Sequence, residues 1–275
     1  MSTAGGEAPH LLQEVRGEVF LVTLNRPAAR NAISPQMACL LSDAYARFAG
    51  DDDLRVLVVT GAGDRAFCSG GDLALTMPLL TGAREPEDEF DRRVLEDPAV
   101  MDRSALRHTS LDKPIVCAVN GACVAGGMET MLATDIRVVA QNARFGLPEA
   151  KRGLIPFAGS LARLPRQLPH AIAMELLLTG DMIDAERALS CGLVNAVVPQ
   201  EEVLAEALAI AGRIAANGPL AVRQIKRTVR LATGVPLEQG FELEDEAKRL
   251  VMASSDAREG PRAFMEKRPA RFTGR

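Results

Sequence analysis

The chain has 275 residues, of which 47% are hydrophobic and 25% are charged, a composition typical of a globular protein with a large core. The net charge is −4 and the basic residues are dispersed, which argues against a nucleic-acid partner. No apolar run is long enough to cross a bilayer, and residues 1–10 lack the segments of a secretory signal. We therefore expect a cytoplasmic protein, not associated with a membrane, whose residues 1–10 form a flexible tail.

The cysteines and histidines argue against a disulfide framework and a metal site. The five cysteines are odd in number and include no C-x-x-C pair, which indicates a reducing compartment. The three histidines lie far apart in the sequence, so a metal centre or a serine–histidine catalytic pair has little support. We expect no bound metal.

The first 60 residues predict a β-hairpin, a helix and a buried strand. The hairpin spans Leu11 to Leu24 and turns at Arg16-Gly17. Ser34-Pro35 is typical of a helix N-cap followed by the first helical residue, and the apolar residues after it recur at helical spacing. The β-branched run from Arg55 to Thr60 predicts a buried strand.

The segment Gly61 to Ala66 fits G-x-G-x-x-A, the fingerprint of a dinucleotide-binding turn. That fingerprint requires a helix that begins at the glycines, so that its N-terminus meets the pyrophosphate. Here the short segment Ala66 to Cys68 and then Ser69-Gly70-Gly71-Asp72 follow, and we expect the next helix to begin with Asp72 as its cap. We therefore reject a nucleotide site.

Two segments, Val56 to Gly71 and Ile115 to Gly127, share one pattern: strand, glycine turn, short strand, Gly-Gly pair and helix. The repetition predicts a fold built from β-β-α steps. Unpaired backbone N–H groups at the start of the helices favour anions, and two of them pointing inward would form an oxyanion hole. The alternative is that each Gly-Gly pair only permits a tight turn.

Two glutamates stand in unusual settings. Glu129 follows the second Gly-Gly pair among small and apolar residues, and Glu149 follows the turn-forming run Phe-Gly-Leu-Pro. Two carboxylates in one apolar cleft would have perturbed pKa values and could share acid and base roles. The alternative is that each glutamate is a solvated surface residue.

The pattern is least regular between Met77 and Arg107. Thr81 to Asp91 predicts an acidic, solvated loop, with a lid over a pocket as the alternative, and Pro98 to His108 predicts a helix. Further helices are predicted over residues 159–168, 171–178, 201–216, 219–233 and 236–252, with a last one from about Asp256. We place a boundary near residue 200, between a core of residues 11–200 and a helical region of residues 201–275.

A series of motifs runs through nearly the whole chain in a characteristic order. They are Asn25-Arg26-Pro27, Arg30-Asn31-Ala32, Ala66 to Leu73, Val119-Asn120-Gly121, Gly126-Gly127, Asp135, Phe145-Gly146, Pro148-Glu149, Gly192-Leu193-Val194, Ala263-Phe264 and Glu266-Lys267-Arg268. The chain thereby resembles the enoyl-CoA hydratase/isomerase, or crotonase, superfamily. The resemblance implies an α/β fold, a spiral of repeated β-β-α turns with a C-terminal α-helical region, and a homotrimer or dimer of trimers. It implies an acyl-CoA thioester as substrate and no separate cofactor, because coenzyme A is part of the substrate.

The resemblance also implies site residues. It places an oxyanion hole on the backbone N–H groups of Cys68 and Gly126. Because the backbone makes this contact, the Cys68 thiol need not react, and no histidine base is apparent that would make it a nucleophile. In a hydratase, Glu129 would position and deprotonate the water, and Glu149 would give a proton to Cα. The implied contacts to coenzyme A are Arg26, Arg30, Asp64, Ala66 and Cys68, with Phe264 and Lys267 reaching a neighbouring subunit; a solvated charge is the alternative for Arg30 and Lys267.

Two residues depart from the pattern of a typical hydratase. Leu147 stands where that pattern has glutamine, Phe157 stands where it has glycine, and both are expected to line the acyl pocket. A leucine cannot orient the acid by hydrogen bonding, and a phenylalanine narrows the water site. The leading expectation is hydration of a 2-trans-enoyl-CoA to a 3-hydroxyacyl-CoA. The alternatives are a Δ3,Δ2-enoyl-CoA isomerase, an acyl-CoA hydrolase or decarboxylase, and a non-catalytic acyl-CoA-binding protein, against which the retention of both glutamates argues.

Overall fold

The structure is a computed structural model that describes residues 8–108 and 111–275. Residues 1–7 of the predicted tail lie outside the described residues. The strands are β1 (Leu11–Arg16), β2 (Val19–Leu24), β3 (Val56–Gly61), β4 (Ala66–Cys68), β5 (Ile115–Val119), β6 (Ala122–Val124), β7 (Ile136–Ala140), β8 (Arg144–Gly146), β9 (Ile183–Asp184) and β10 (Ala196–Val198).

The helices surround two sheets. They are α1 (Pro35–Gly50), α2 (Thr76–Leu80), α3 (Glu89–Glu96), α4 (Ala99–Ser104), α5 (Gly126–Leu132), α6 (Ser160–Gln167), α7 (His170–Thr179), α8 (Ala185–Ser190), α9 (Val203–Ala215), α10 (Pro219–Ala232), α11 (Leu237–Met252) and α12 (Asp256–Met265). Short 3₁₀ helices lie at Pro27–Ala29, Pro148–Arg152 and Gln200–Glu202.

The larger sheet has the order β1-β2-β3-β5-β7-β10, and the smaller sheet has the order β4-β6-β8-β9. The hairpin β1-β2 is antiparallel, whereas β2, β3, β5, β7 and β10 are parallel neighbours. Three strands of the larger sheet, β3, β5 and β7, are each followed by a short strand of the smaller sheet (β4, β6 and β8) and then by a helical element. The predicted spiral of β-β-α turns is therefore confirmed, and it contains a third unit, β7-β8, that the Gly-Gly pattern did not reveal.

Helix α1 forms as its sequence predicts. The hydroxyl of Ser34 accepts a hydrogen bond of 3.1 Å from the backbone N–H of Met37, and Pro35 occupies the first helical position. The buried face of α1 packs into the core, where the rings of Phe48 and Phe20 stack with centroids 6.4 Å apart. Such a pair stabilises the fold by about 0.5–1.5 kcal/mol beyond the burial of its area.

The glycine-rich segment Gly61 to Ala66 leads into strand β4 rather than into a helix. A Cβ atom on Gly61 would lie 2.7 Å from the carbonyl oxygen of Ala66, so this glycine permits the close approach of two backbone segments. The Asp72 carboxylate accepts hydrogen bonds from the N–H groups of Ala74 and Leu75, shortly before the regular helix α2 begins. The structure thus agrees with the rejection of a dinucleotide turn.

The region between α2 and β5 differs from its prediction. Helix α3 begins at Glu89, inside the predicted acidic loop, and Asp91 is only 4% exposed because it forms a bidentate ion pair with Arg84. The helix predicted over Pro98 to His108 ends earlier, since α4 spans Ala99–Ser104 and Leu106 has a left-handed backbone with φ of 52°. A buried partner for Asp91 is a tertiary contact that charge patterning does not reveal.

Helix α9 belongs to the core. Its buried residues Val203, Ala207, Ala211 and Ala215 recur every four positions and pack with the residues of the sheets. The boundary near residue 200 stays a prediction; in the structure α9 packs with the core, whereas α10, α11 and α12 contribute few buried residues. None of the helices in the described part of the chain has the length and apolar character to span a bilayer.

Candidate active site

The parallel strands β4, β6 and β8 end at one edge of the smaller sheet. Because the chain turns into a loop or helix directly after each strand, the residues that follow them gather at this edge. They are Ser69 after β4, Gly126 and Glu129 after β6, and Glu149 after β8. The repeated β-β-α step thus brings residues that are up to 80 positions apart in the sequence, Ser69 and Glu149, into one site (149 − 69 = 80).

A cavity of about 220 Å³ opens at this edge. Its wall includes Leu80, Met101 and Phe157 as apolar residues and both Glu129 and Glu149. The structure therefore brings the two glutamates of the sequence analysis into one largely apolar cavity.

Glu129 lies one turn into α5 and is 4% exposed. Its Oε1 atom accepts hydrogen bonds from the hydroxyl of Ser160, at 2.8 Å, and from the backbone N–H of Ser160, at 3.3 Å. Ser160 is the first residue of α6, and the N-terminus of a helix favours a negative charge. Both donors of Ser160 therefore fix the position of this oxygen.

Glu149 lies in the 3₁₀ helix Pro148–Arg152 and is in a different environment. Its buried Oε2 atom has no hydrogen-bond partner among the described residues. Burial raises the pKa of Glu149, and the negative charge of Glu129 raises it further, whereas its own backbone N–H and the charge of Arg152 lower it. The protonated form of Glu149 is therefore favoured relative to an ordinary glutamate.

The two Gly-Gly pairs face each other across the site. A Cβ atom on Gly70 would lie 3.0 Å from the backbone nitrogen of Gly126. A Cβ atom on Gly127 would lie 2.7 Å from the Cβ atom of Cys68. Gly126 is the first residue of α5, a position whose N–H has no partner within the helix. The preceding Ala125 has a positive φ of 51°, a strained conformation for a non-glycine residue that costs about 1–3 kcal/mol.

The thiol of Cys68 is not suited to act as a nucleophile. Its side chain is fully buried in the core, and burial raises the pKa of Cys68 to about 12, while the N–H of Gly70 lowers it slightly. A nucleophilic cysteine needs a thiolate at neutral pH. The backbone of Cys68 remains close to the cavity, since Ser69 lines it.

Comparison with known proteins identifies the family. A sequence model of the enoyl-CoA hydratase/isomerase family matches residues 14–275. The chain belongs to this family. It is 42% identical to the enoyl-CoA hydratase EchA19 of Mycobacterium tuberculosis over 97% of both chains, and 38% identical to the (E)-benzylidenesuccinyl-CoA hydratase of Thauera aromatica over 95% of this chain and 98% of the relative. It also resembles the solved structure of an enoyl-CoA hydratase from Mycobacterium tuberculosis H37Rv, with 38% identity, a TM-score of 0.86, and coverage of 98% of this chain and 100% of the other.

The residues that the family resemblance implies for binding coenzyme A differ in their exposure and in their hydrogen bonds. Arg26 donates to the carboxylate of Asp72 at 2.7 Å and to the carbonyl of Ala32, so its charge is already compensated. Arg30 and Asp64 are exposed, and Ala66 is buried with its carbonyl bound by the amide of Asn31.

Two further residues implied for coenzyme A lie in the C-terminal region. Phe264 is 86% exposed and Lys267 is also exposed, and neither lines the cavity of its own chain.

The two departures from the typical hydratase have different surroundings. Leu147 is fully buried in the hydrophobic core and is not among the residues that line the cavity, so its place in the acyl pocket stays a prediction. Phe157 lines the cavity and is 55% exposed, at its rim.

Sequence reasoning missed Ser160 and Arg163. Arg163 donates hydrogen bonds to the carbonyls of Ala105, Leu106 and Ala158, and thereby ties α6 to the segment after α4. The available signal was Gly159, which has φ of 116° and packs against the Arg163 guanidinium. A glycine followed by a serine indicates where a helix begins, but it does not reveal that the serine binds Glu129.

Proposed function

We propose that the protein is an enoyl-CoA hydratase that adds water to a 2-trans-enoyl-CoA and yields a 3-hydroxyacyl-CoA. The observation that carries this proposal is the pair of glutamates in one apolar cavity, of which Glu129 accepts two hydrogen bonds and Glu149 has a raised pKa. Two carboxyl groups whose environments differ in this way suit one base and one acid. The names of the two relatives, both hydratases, support the same reaction.

The backbone N–H groups of Cys68 and Gly126 hold the thioester oxygen in this proposal. The close packing of the two Gly-Gly pairs supports it, because it places the N-terminus of α5 beside the end of β4. These donors are fixed before the substrate arrives, so they stabilise the negative charge that develops on the oxygen without reorganisation.

The addition then proceeds with balanced proton transfers. Glu129 accepts a proton from water as the water oxygen forms a bond to Cβ, and the electrons of the double bond move to the thioester oxygen as an enolate. Glu149 donates its proton to Cα, and the enolate returns to a thioester. Exchange with solvent then removes the proton from Glu129 and returns one to Glu149, which restores both groups for the next turnover. The reaction neither oxidises nor reduces the substrate, so we propose that it uses no cofactor and that coenzyme A enters only as part of the substrate.

We further propose that the chain assembles as a homotrimer or a dimer of trimers through α10–α12. Helix α10 turns its charged side toward the core, where Arg223 and Lys226 pair with Asp52 and Asp135. Its apolar residues Ile225 and Val229 are 65% and 64% exposed, which supports a contact with another copy. In this assembly, Phe264 and Lys267 reach the coenzyme A of a neighbouring subunit, and Arg30 and Asp64 contact that of their own.

The test is a spectrophotometric assay with crotonyl-CoA in which the product is identified by mass. We expect loss of the conjugated thioester absorbance and a gain of one water, with turnover reduced by about 100-fold or more in Glu129→Gln and Glu149→Gln, on the scale of lost general acid–base catalysis. Glu175→Gln, which removes an exposed carboxylate on α7, is the matched control and should retain full activity.

Other outcomes would contradict the proposal. Movement of the double bond without a gain of water would identify an isomerase, and release of free coenzyme A would identify a hydrolase. Binding of the thioester without any turnover, together with unchanged behaviour of both glutamine variants, would indicate a non-catalytic binding protein.

A further inference from the structure

Ser160 is fully buried next to Glu129, although 31 residues separate them in the sequence. Its hydroxyl donates to Oε1 of Glu129 at 2.8 Å, and its backbone N–H donates to the same oxygen at 3.3 Å. Two donors on one oxygen restrict the rotation of the carboxylate and leave Oε2 as the oxygen available to water.

The position of Ser160 is itself fixed by the surrounding structure. Gly159 has φ of 116°, and a Cβ atom there would lie 2.7 Å from Nη1 of Arg163. Arg163 binds carbonyl oxygens on both sides of the cavity wall, including those of Ala105 and Ala158. The N-terminus of α6, and Ser160 with it, is therefore tied to the segment that follows α4.

Glu149, the proposed acid, lacks a comparable donor at its Oε2 atom. The Oε2 atom of Glu149 is without a hydrogen-bond partner among residues 8–108 and 111–275, while Glu129 receives both donors of Ser160. The two carboxyl groups thus differ in their hydrogen bonding, and both donors to Glu129 come from one serine on α6. A buried hydroxyl that binds a carboxylate in this cavity is not needed for packing alone, since alanine would fill nearly the same volume.

We propose that Ser160 is a positioning residue that holds Glu129 as an oriented carboxylate, so that Glu129 receives the proton of the attacking water. This inference rests on the proposed hydration. Ser160 keeps its own proton throughout and does not touch the substrate, so its effect is transmitted through Glu129. It follows that loss of the hydroxyl lowers kcat, whereas the affinity for the coenzyme A half of the substrate is unchanged.

The experiment compares three substitutions at Ser160 in the full-length protein with crotonyl-CoA as substrate. Ser160→Ala removes the donor, Ser160→Cys keeps the volume with a weak donor, and Ser160→Thr keeps a hydroxyl. We expect kcat to fall on the order of tenfold in the alanine variant, by less in the cysteine variant and least in the threonine variant, with KM within about twofold.

The matched control is Ser254→Ala. Ser254 is also buried beside a helix start, where its hydroxyl accepts a 3.1 Å hydrogen bond from the N–H of Ala257, and it does not line the cavity. Its kcat should equal that of the wild type. Thermal unfolding of every variant separates an effect on stability from an effect on positioning.

Three results would overturn the inference. One is a kcat of Ser160→Ala within about twofold of the wild type, and another is a loss of kcat that follows the loss of Tm across the series instead of the strength of the donor. Absence of hydration by the wild type would overturn both this inference and the proposed function, whereas an active wild type with an equally active alanine variant would overturn this inference alone.

Discussion

Gly70 lies so close to Ala125 that a Cβ atom on Gly70 would come within 2.8 Å of the Cβ of Ala125. Both residues have a positive φ, 96° for Gly70 and 51° for Ala125. The strained backbone of Ala125 directs the chain into α5 and so fixes where the N–H of Gly126 points. The Gly70–Ala125 contact therefore supports the proposed oxyanion hole.

The Gly70→Ala variant should lose most of its activity. The added methyl group must displace Ala125 or the nitrogen of Gly126, which would lie only 3.0 Å from the new Cβ atom. We expect a fall in kcat on the order of 10²–10³, the scale of losing one oxyanion-hole donor. Steady-state kinetics with crotonyl-CoA measure this effect.

The control for Gly70→Ala is Gly234→Ala. Gly234 has a similar φ of 92°, but no atom outside its immediate neighbours lies within 4 Å of the Cβ position. This variant has the same backbone strain without the contact at the site, so it should lose stability and keep kcat. Equal kcat losses in the two variants would show that strain alone, and not the displacement of Gly126, causes the defect.

Glu149 should make stability depend on pH. Its folded-state pKa is raised, chiefly by burial, so the folded protein binds the proton more tightly than the unfolded chain does. The stabilisation from this proton is fully present below the unfolded pKa of about 4.3 and is lost as the pH rises through the folded pKa. Glu149→Gln cannot titrate, so its stability relative to the wild type should increase as the pH rises from about 4.3 through the raised folded-state pKa of Glu149.

Urea unfolding of the wild type and Glu149→Gln across this pH range tests the linkage. The comparison variant is Glu175→Gln, which removes an exposed carboxylate on α7. A constant difference between wild type and Glu149→Gln would mean that the carboxyl of Glu149 titrates alike in the folded and unfolded states.

Replacement of Leu147 should change the stability of the fold, whereas replacement of Phe157 should change the substrate preference. Leu147→Gln buries an amide among apolar core residues, and we expect it to destabilise the fold by about 1–3 kcal/mol. Phe157→Ala removes a half-exposed ring from the cavity rim, so stability should change by only about 0.5 kcal/mol. The wider rim should raise kcat/KM for a branched enoyl-CoA relative to crotonyl-CoA.

Denaturant unfolding and a two-substrate assay, applied to both variants, separate the effects of Leu147 and Phe157. A stable Leu147→Gln with improved hydration would indicate that its amide finds a partner at the site. An unchanged substrate preference in Phe157→Ala would mean that the ring does not limit the acyl group.

Several helices and strands of this protein could be predicted from its sequence because neighbouring residues determine them. The N-cap of α1 needs only Ser34 and Pro35, and the spiral is visible in two segments that share a Gly-Gly pair. The family resemblance predicted that Glu129 and Glu149 belong to one site, and both line the cavity at the carboxyl ends of the parallel strands.

The remaining features depend on contacts between distant segments. The third β-β-α unit has no Gly-Gly pair, and the bond between Ser160 and Glu129 exists only because α6 packs on α5. Likewise, the alanines of α9 predict an amphipathic helix, but they do not reveal that a small-residue face lets it approach the sheet closely. Sequence periodicity identifies a buried face but not the surface that covers it.

The attachment of α10 to the core should depend more on the Lys226–Asp135 ion pair than on the Arg230–Asp112 ion pair. Nζ of Lys226 donates to the Asp135 carboxylate at 2.7 Å and to the carbonyl of Lys113 at 2.9 Å, and its side chain is only 16% exposed. Arg230, one turn later, pairs with Asp112 at 3.0 Å, with a side chain that is 43% exposed. Hydrogen bonds to charged groups are worth about 1.5–3 kcal/mol when shielded, whereas exposed pairs contribute about 0–1 kcal/mol.

We therefore expect Lys226→Ala to destabilise the protein by about 1.5–3 kcal/mol and Arg230→Ala, its matched control on the same helix, by less than about 1 kcal/mol. Unfolding in urea at low and high salt measures both. Added salt should weaken the contribution of the exposed Arg230 pair more than that of the shielded Lys226 pair. Equal destabilisation by the two substitutions would show that Asp135, which also accepts a 2.7 Å hydrogen bond from the N–H of Ile115, is held by the backbone alone.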